Sequence, residues 1–304
     1  VWNDDFHHSL HAVLTGERMS VYRDHGSLEN LAKAYREGFV LSGQYSLHHQ
    51  RHHGSCSRTV PAHRFVVFAQ NHDQIGNRLY GERLSHLVGF EQLKLAAAAV
   101  LLAPCVPLLF MGEEYGEQAP FLYFVDHSDP ELLQRVRAGR LTDYPAFVRP
   151  GEPVPDPTDP ETFGRSQVRL ERRHQGSHRA LWQFHQHLLR LRATTESLAH
   201  PDQERHEVWV DETGKLIGSR RWFEKTQTLA MFHFGEQQGL LTPQLPKGSW
   251  TQLLDSADVR WDGPGSHLPQ HFTTTDNLSL HFAPQSVVVY RNSDQPDPSR
   301  VAKQ

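Results

Sequence analysis

RFVVFAQNHDQ, residues 64–74, is the stretch on which the reading of this chain turns. Phe65, Val66, Val67 and Phe68 form an unbroken apolar run, which suits a strand buried on both faces, as in a parallel sheet. The run stops at Asn71-His72-Asp73-Gln74, so four polar side chains collect at the strand's carboxyl end. In parallel α/β architectures that edge is where reactive groups gather.

Toward the C-terminus, residues 91–103 read as an Ala- and Leu-rich helix, and residues 105–110 as a second short apolar run ending at Gly112-Glu113-Glu114. Strand, helix, strand argues for parallel βαβ units. Residues 130–139 and 177–192 also look helical, separated by a Pro-, Asp- and Glu-rich loop over 150–160. From about Pro201 the pattern changes to short β-like runs at 207–210, 229–234, 250–254, 278–282 and 286–290, punctuated by Gly and Pro. They predict a small antiparallel β-sandwich. The residues after Asn292 read as a disordered tail.

Toward the N-terminus, residues 43–63 are polar, His-rich and aperiodic, and predict an exposed loop. Residues 27–39 carry an N-cap Ser27, apolar Leu28, Leu31, Ala32, Tyr35 and Phe39 at helical spacing, and Gly38 near the end. The chain opens Val1-Trp2-Asn3-Asp4-Asp5, without Met, and reads as interrupted in mid-domain.

The 304 residues, with 38% hydrophobic and 10% aromatic content, suit two folded domains and not a disordered or membrane protein. The longest apolar run, residues 95–102, ends at Pro104, far short of the roughly 20 residues that cross a bilayer. A net charge of -4 with interspersed signs leaves no basic footprint for nucleic acid or membrane, so an uncharged or small partner is expected. Only Cys56 and Cys105 are present, so no disulfide framework is expected and Cys105 reads as a buried thiol. Without a signal-peptide pattern the default compartment is the cytoplasm.

Asp73 and His72 are the first chemical candidates, with Asn71 and Gln74 beside them. Glycoside hydrolysis passes through an oxocarbenium-like state, so carboxylates near the anomeric carbon stabilise positive charge while amides and imidazoles hold hydroxyls. The plain alternative is that these residues cap the next helix. Asp4, Asp5, His7 and His8 form a second cluster, suited to acid/base work, a metal, sugar hydrogen bonding or mere capping. Glu113 and Glu114 either face the same cleft as Asp73 or pair with Arg78 or Arg83. The His48, His49, His52, His53 and Cys56 run invites a metal reading but shows no supporting partners, and no metal ligand is assigned. Tyr115, Phe121, Tyr123 and Phe124 are core aromatics or sugar-stacking platforms.

Residues 65–78, with the core Asn71-His72-Asp73, resemble the end of the seventh barrel strand in the α-amylase superfamily. Pro107-Leu108-Leu109-Phe110-Met111-Gly112-Glu113-Glu114 resembles the eighth strand and its loop, and the distal β-runs resemble the superfamily's C-terminal domain. Residues 2–8 with Leu14-Thr15-Gly16-Glu17, residues 120–127, and Pro155-Asp156-Pro157 before Thr162-Phe163 are similar to the malto-oligosyltrehalose trehalohydrolases within it.

The resemblance implies an α/β fold: an incomplete (β/α)8 barrel, about strands six to eight, over residues 1–200, a β-sandwich over 201–292, and a tail over 293–304. It implies hydrolysis of the α-1,4 bond beside the terminal trehalose of maltooligosyl trehalose, by a retaining mechanism without a metal or organic cofactor. Asp73 is then the transition-state stabiliser, with His72, Asn71, Gln74, Asp4, Asp5, His7, His8 and Glu114 binding substrate. The nucleophile and acid/base lie after the family's fourth and fifth strands and are matched by no residue here, so this polypeptide alone is expected to be inactive. Three strands also leave an open barrel edge, from which low solubility follows. The competing readings are another α-glucan enzyme, an amylase or branching enzyme, and a non-catalytic glucan-binding protein.

Overall fold

The computed structural model describes residues 1–143, 148–202, 204–242, 245–274 and 278–292, with nothing stated of the side chains of Leu141 and Asp143. The tail expected over 293–304 lies outside the described residues. In chain order the helices are α1 (Asp4–Thr15), α2 (Leu28–Glu37), α3 (His72–Gly76), α4 (Leu84–Leu87), α5 (Phe90–Leu101), α6 (Pro130–Asp143), α7 (Pro160–Arg165), α8 (Gly176–Thr194) and α9 (Glu196–Ala199). The strands are β1 (Ser42–Ser46), β2 (Arg51–Gly54), β3 (Val66–Val67), β4 (Val106–Pro107), β5 (His206–Asp211), β6 (Leu216–Phe223), β7 (Thr226–His233), β8 (Gly239–Leu241), β9 (Ser249–Asp255), β10 (His271–Thr273), β11 (Leu280–Phe282) and β12 (Ser286–Asn292).

The apolar run at 65–68 forms β3, which pairs in parallel with β4 on one side and bridges in parallel to Trp2 on the other. Val66 donates to Val1 O at 2.8 Å while Val106 donates to Phe65 O at 2.9 Å, so three parallel segments lie side by side. The ladders are short because the chain turns at once into α3, whose N-cap Asn71 accepts from Gln74 N. The βαβ reading therefore holds for β3, α5 and β4.

Helix α1 runs straight through the acidic and histidine cluster. Asn3 caps it, Asp4 and Asp5 in its first turn complement the helix dipole, and Gly16 closes it at φ 78°. Phe6, Leu10 and Leu14, four residues apart, bury one stripe of it. Ser27 caps α2 in a reciprocal box with Asn30. Ser27→Ala should therefore lower stability by about 1 kcal/mol. An unchanged urea midpoint would show that this cap contributes nothing.

The loop expected over 43–63 instead contains an antiparallel hairpin, β1 with β2. Most of its side chains face solvent and the buried one is Ser46, so no apolar alternation marks it in the sequence. Backbone pairing and Asp24 hold it: that carboxylate accepts from Leu47 N at 2.6 Å, His48 N at 3.1 Å and Ser46 Oγ at 2.5 Å.

The distal half is a six-stranded antiparallel sheet in the order β10-β9-β12-β7-β6-β5, with a separate ribbon of β8 and β11. The five predicted runs are all present, and β6, β8 and β10 are additional. The centre of β6, Gly218-Ser219-Arg220-Arg221, hides the strand from a hydropathy reading. Gly218 is required there, because a Cβ would sit 2.1 Å from the Trp209 ring. One face of the sheet, through Leu216, Leu229, Met231, Val288 and Tyr290, packs with Leu280 and Phe282 of the ribbon. The other, through Ile217, Ala230, Phe232, Leu254, Val287 and Val289, completes the core formed by α1, α2, α5 and α8.

Two buried cations key the layers together. Lys94 of α5 donates to Ser256 O at 2.7 Å and Trp261 O at 3.2 Å. Arg221 of β6 donates to Leu102 O at 3.3 Å, Leu198 O at 3.1 Å and His200 O at 3.0 Å, and burial pushes its guanidinium down to about 9. Both cysteines are free, Cys105 buried and Cys56 exposed. Among the described residues no helix is long and apolar enough to cross a membrane.

Candidate active site

The carboxyl end of β3 and the start of α1 meet across a cleft of about 340 Å³, lined by Asp4, His8, Ser20, Val21, Tyr22, Asp73, Gln74, Asn77 and Arg78. Asp73 stands in the first turn of α3, exposed, with His72 Nε2 3.2 Å from its Oδ1. Trp2 meets the His72 ring edge-on at 5.7 Å. Gln74 donates through Nε2 to Asp4 Oδ1 at 3.1 Å, joining the two candidate clusters across the cleft. Partial burial, with the carboxylates of Asp5 and Asp73 nearby, holds Asp4 above the usual carboxylate range against the Gln74 bond.

The other expected residues divide into those beneath the cleft and those away from it. Asn71 is buried and caps α3 with Oδ1, while its Nδ2 is buried without a partner among the described residues. His7 is buried as well, with Nδ1 2.8 Å from Ala69 O and Nε2 3.4 Å from Tyr22 Oη, and it stacks on Phe68. It ties α1 to the end of β3 and does not line the cleft. Asp5 accepts from Val40 N at 2.7 Å and Leu41 N at 2.8 Å, holding the chain that leaves α2. His8 faces the cleft, and burial with its histidine neighbours pushes its imidazole down to about 3, so the ring is neutral. Burial lowers His25, behind it, in the same direction.

Glu113 and Glu114 lie in a 3-10 turn after β4, outside the residues that line this cleft. Burial pushes Glu113 up to about 8, the Phe110 backbone, Gln70 and Arg83 pull it back, and Glu113 Oε2 has no hydrogen-bond partner among the described residues. Arg83 itself donates to Ala119 O at 2.6 Å and Met111 O at 2.7 Å. Tyr115 is buried, donating to Glu117, whereas Phe121 and Phe124 pack edge-on against each other and Tyr123 lies under Arg140.

Sequence reasoning missed Arg78, Glu17 and Tyr22. Arg78 at the cleft floor donates to both Glu17 oxygens, at 2.9 and 3.0 Å, and Glu17 is also 2.8 Å from His11 Nε2. Tyr22 stacks on His11 with ring centroids 4.4 Å apart. No local spacing in the sequence marks the pair, since 61 residues separate Arg78 from Glu17.

No family model matches the chain. It is 43% identical over 271 residues, 88% of its length, to a protein named malto-oligosyltrehalose trehalohydrolase from Rhizobium sp. strain M-11, and covers 44% of that protein. It is 38% identical over 222 residues, 72% of its length, to one of the same name from Mycobacterium tuberculosis, and covers 38% of it. The chain thus spans less than half the length of these relatives. A Salmonella typhimurium crystal structure described as a candidate α-amylase superposes on 96% of the chain with a TM-score of 0.78 and 34% identity, using 46% of that chain. AmyP in complex with maltose shares the fold at a TM-score of 0.56 and 11% identity, over 98% of this chain and 50% of its own. By sequence and by fold, the chain is similar to malto-oligosyltrehalose trehalohydrolases and to an α-amylase-type structure over the part of those proteins that it spans.

Proposed function

We propose that this chain supplies about the last three strands of the catalytic barrel, together with the C-terminal β-domain, of an enzyme that releases trehalose from maltooligosyl trehalose. Water is the co-substrate and the scissile bond is the α-1,4 link beside the terminal trehalose. One observation carries the reading: Asp73 follows a parallel strand and lines a polar cleft, in a chain 43% identical to the Rhizobium trehalohydrolase over 271 residues. The parallel order of Trp2, β3 and β4 supports the placement as adjacent barrel segments.

In this reading the exposed Asp73 carboxylate faces the sugar ring as its anomeric carbon becomes positive, and His72 holds that carboxylate in position. Asp4, Gln74 and His8 accept and donate hydrogen bonds to hydroxyls along the cleft wall. A retaining mechanism needs a nucleophile and an acid about 5 Å apart. The family places both after upstream strands, so the 304-residue chain by itself should show no turnover.

The test joins this chain to the upstream half of a related trehalohydrolase and measures trehalose freed from maltooligosyl trehalose. Trehalose release is expected; a folded product that releases none defeats the proposal, and new α-1,6 branch points would replace it by a branching activity. For the chain alone, calorimetry with maltooligosaccharides should find weak binding. Tight binding would favour a non-catalytic glucan-binding role.

A further inference from the structure

Asp5 and His8 lie one turn apart on α1, and His25 follows the 3-10 turn Ser20–Asp24, yet the three offer ligand atoms that all lie within 4.8 Å of one another. The hydrogen bonds around them fix which atoms are available. Asp5 Oδ2 is held by the backbone amides of Val40 and Leu41, which sets the carboxylate plane and leaves Oδ1 free of those bonds. Ser9 Oγ donates its one proton to Asp5 O at 2.7 Å, so toward His25 Nδ1, 3.1 Å away, it acts as acceptor. His25 therefore carries its proton on Nδ1 and keeps a lone pair on Nε2. This is the arrangement found behind metal-bound histidines, whose second nitrogen donates to a fixed oxygen. The His8 ring makes only ring contacts among the described residues, to His7, Tyr22 and His25. All three residues line one open cleft of about 630 Å³, with His48, His49 and His53 of the hairpin also on its wall.

We infer that Asp5, His8 and His25 form a binding site for a divalent first-row transition ion of the zinc type, clipping the start of α1 to the segment after Asp24. Two imidazoles and one carboxylate suit such ions, whereas calcium and magnesium prefer oxygen ligands throughout. Three protein ligands leave positions for water from the cleft. The site shares His8 with the wall of the substrate cleft, while the trehalose-releasing reaction requires no metal in the reading above.

The experiment titrates the untagged, chelator-treated chain with Co²⁺ and follows the visible absorption of the bound ion, then competes it with Zn²⁺. One tightly bound ion per chain is expected, displaced by Zn²⁺ and not by Mg²⁺ or Ca²⁺, with the melting temperature rising as Zn²⁺ is added. His8→Ala, which removes no hydrogen bond, should keep the circular dichroism spectrum and weaken Co²⁺ binding by at least about 100-fold. Ser9→Ala should keep the stoichiometry and weaken binding by about 10-fold or more, because it frees the His25 tautomer. His49→Ala should bind as wild type. Absence of Co²⁺ binding in the wild-type chain overturns the site, as does wild-type affinity in His8→Ala. Loss of binding in His49→Ala with retention in His8→Ala would place the ion on the hairpin and overturn it equally.

Discussion

Replacing Asp73 by Ala in the joined enzyme should lower kcat/KM for maltooligosyl trehalose by at least about 10²–10³-fold while leaving the fold intact. The size follows from the role: a carboxylate that meets charge present only in the transition state contributes to the barrier and little to substrate binding. The intact fold follows from the environment, since the Asp73 side chain is 61% exposed and its contact, at 3.2 Å, is with the neighbouring His72. Its loss should move unfolding by no more than about 0.5 kcal/mol. Asp73→Asn sharpens the result, because it keeps the shape and loses the charge, and it should be nearly as inactive. Turnover near the wild-type level in either variant removes Asp73 from the chemistry.

The largest effect on stability should come from Glu17. Burial pushes its carboxyl up, but hydrogen bonds from His11 and Arg78 outweigh this and bring it down to about 2 from 4.5. A folded value below the unfolded one gives stability that is fully present above about pH 4.5 and is lost as pH falls toward 2. The fall from 4.5 to about 2 corresponds to at most about 3.4 kcal/mol. Glu17→Ala at neutral pH should cost about 2–3 kcal/mol, because Arg78, only 14% exposed, keeps one carboxylate partner, Glu82. Urea midpoints measured across this acid range should fall steeply in the wild-type chain and less steeply in Glu17→Gln. Equal slopes would mean that the carboxylate is not held by these partners.

What was legible in the sequence is what local physics decides. The apolar run at 65–68, its polar end and the Ala-rich helix after it are written in consecutive residues, and α5 at Phe90–Leu101 lies within a residue or two of the expected span. Ser27 announces α2 because a cap acts within three residues. The hidden parts are decided by distant contacts. Helix α1 was masked by Asp4, Asp5, His7 and His8, whose polarity drew attention from the Phe6, Leu10 and Leu14 stripe. The hairpin at 42–54 rests on Asp24, and β6 carries a buried arginine that three carbonyls from other elements satisfy. At the candidate site, Asp73, Gln74, Asp4 and His8 could be named from the sequence, but not that a glutamine side chain links the two clusters. Neither the Glu17 and Arg78 pair nor the approach of His25 to Asp5 and His8 leaves any mark in local spacing.

The sheet face bearing Ile217, Ala230, Phe232, Leu254, Val287 and Val289 has a further consequence for handling the protein. Since α5 and α8 supply the other half of that interior, a protease nick near Pro201 should not liberate a dispersible β-module. The two fragments should remain noncovalently associated, co-elute, and separate only in denaturant, with the nicked species still melting in one step.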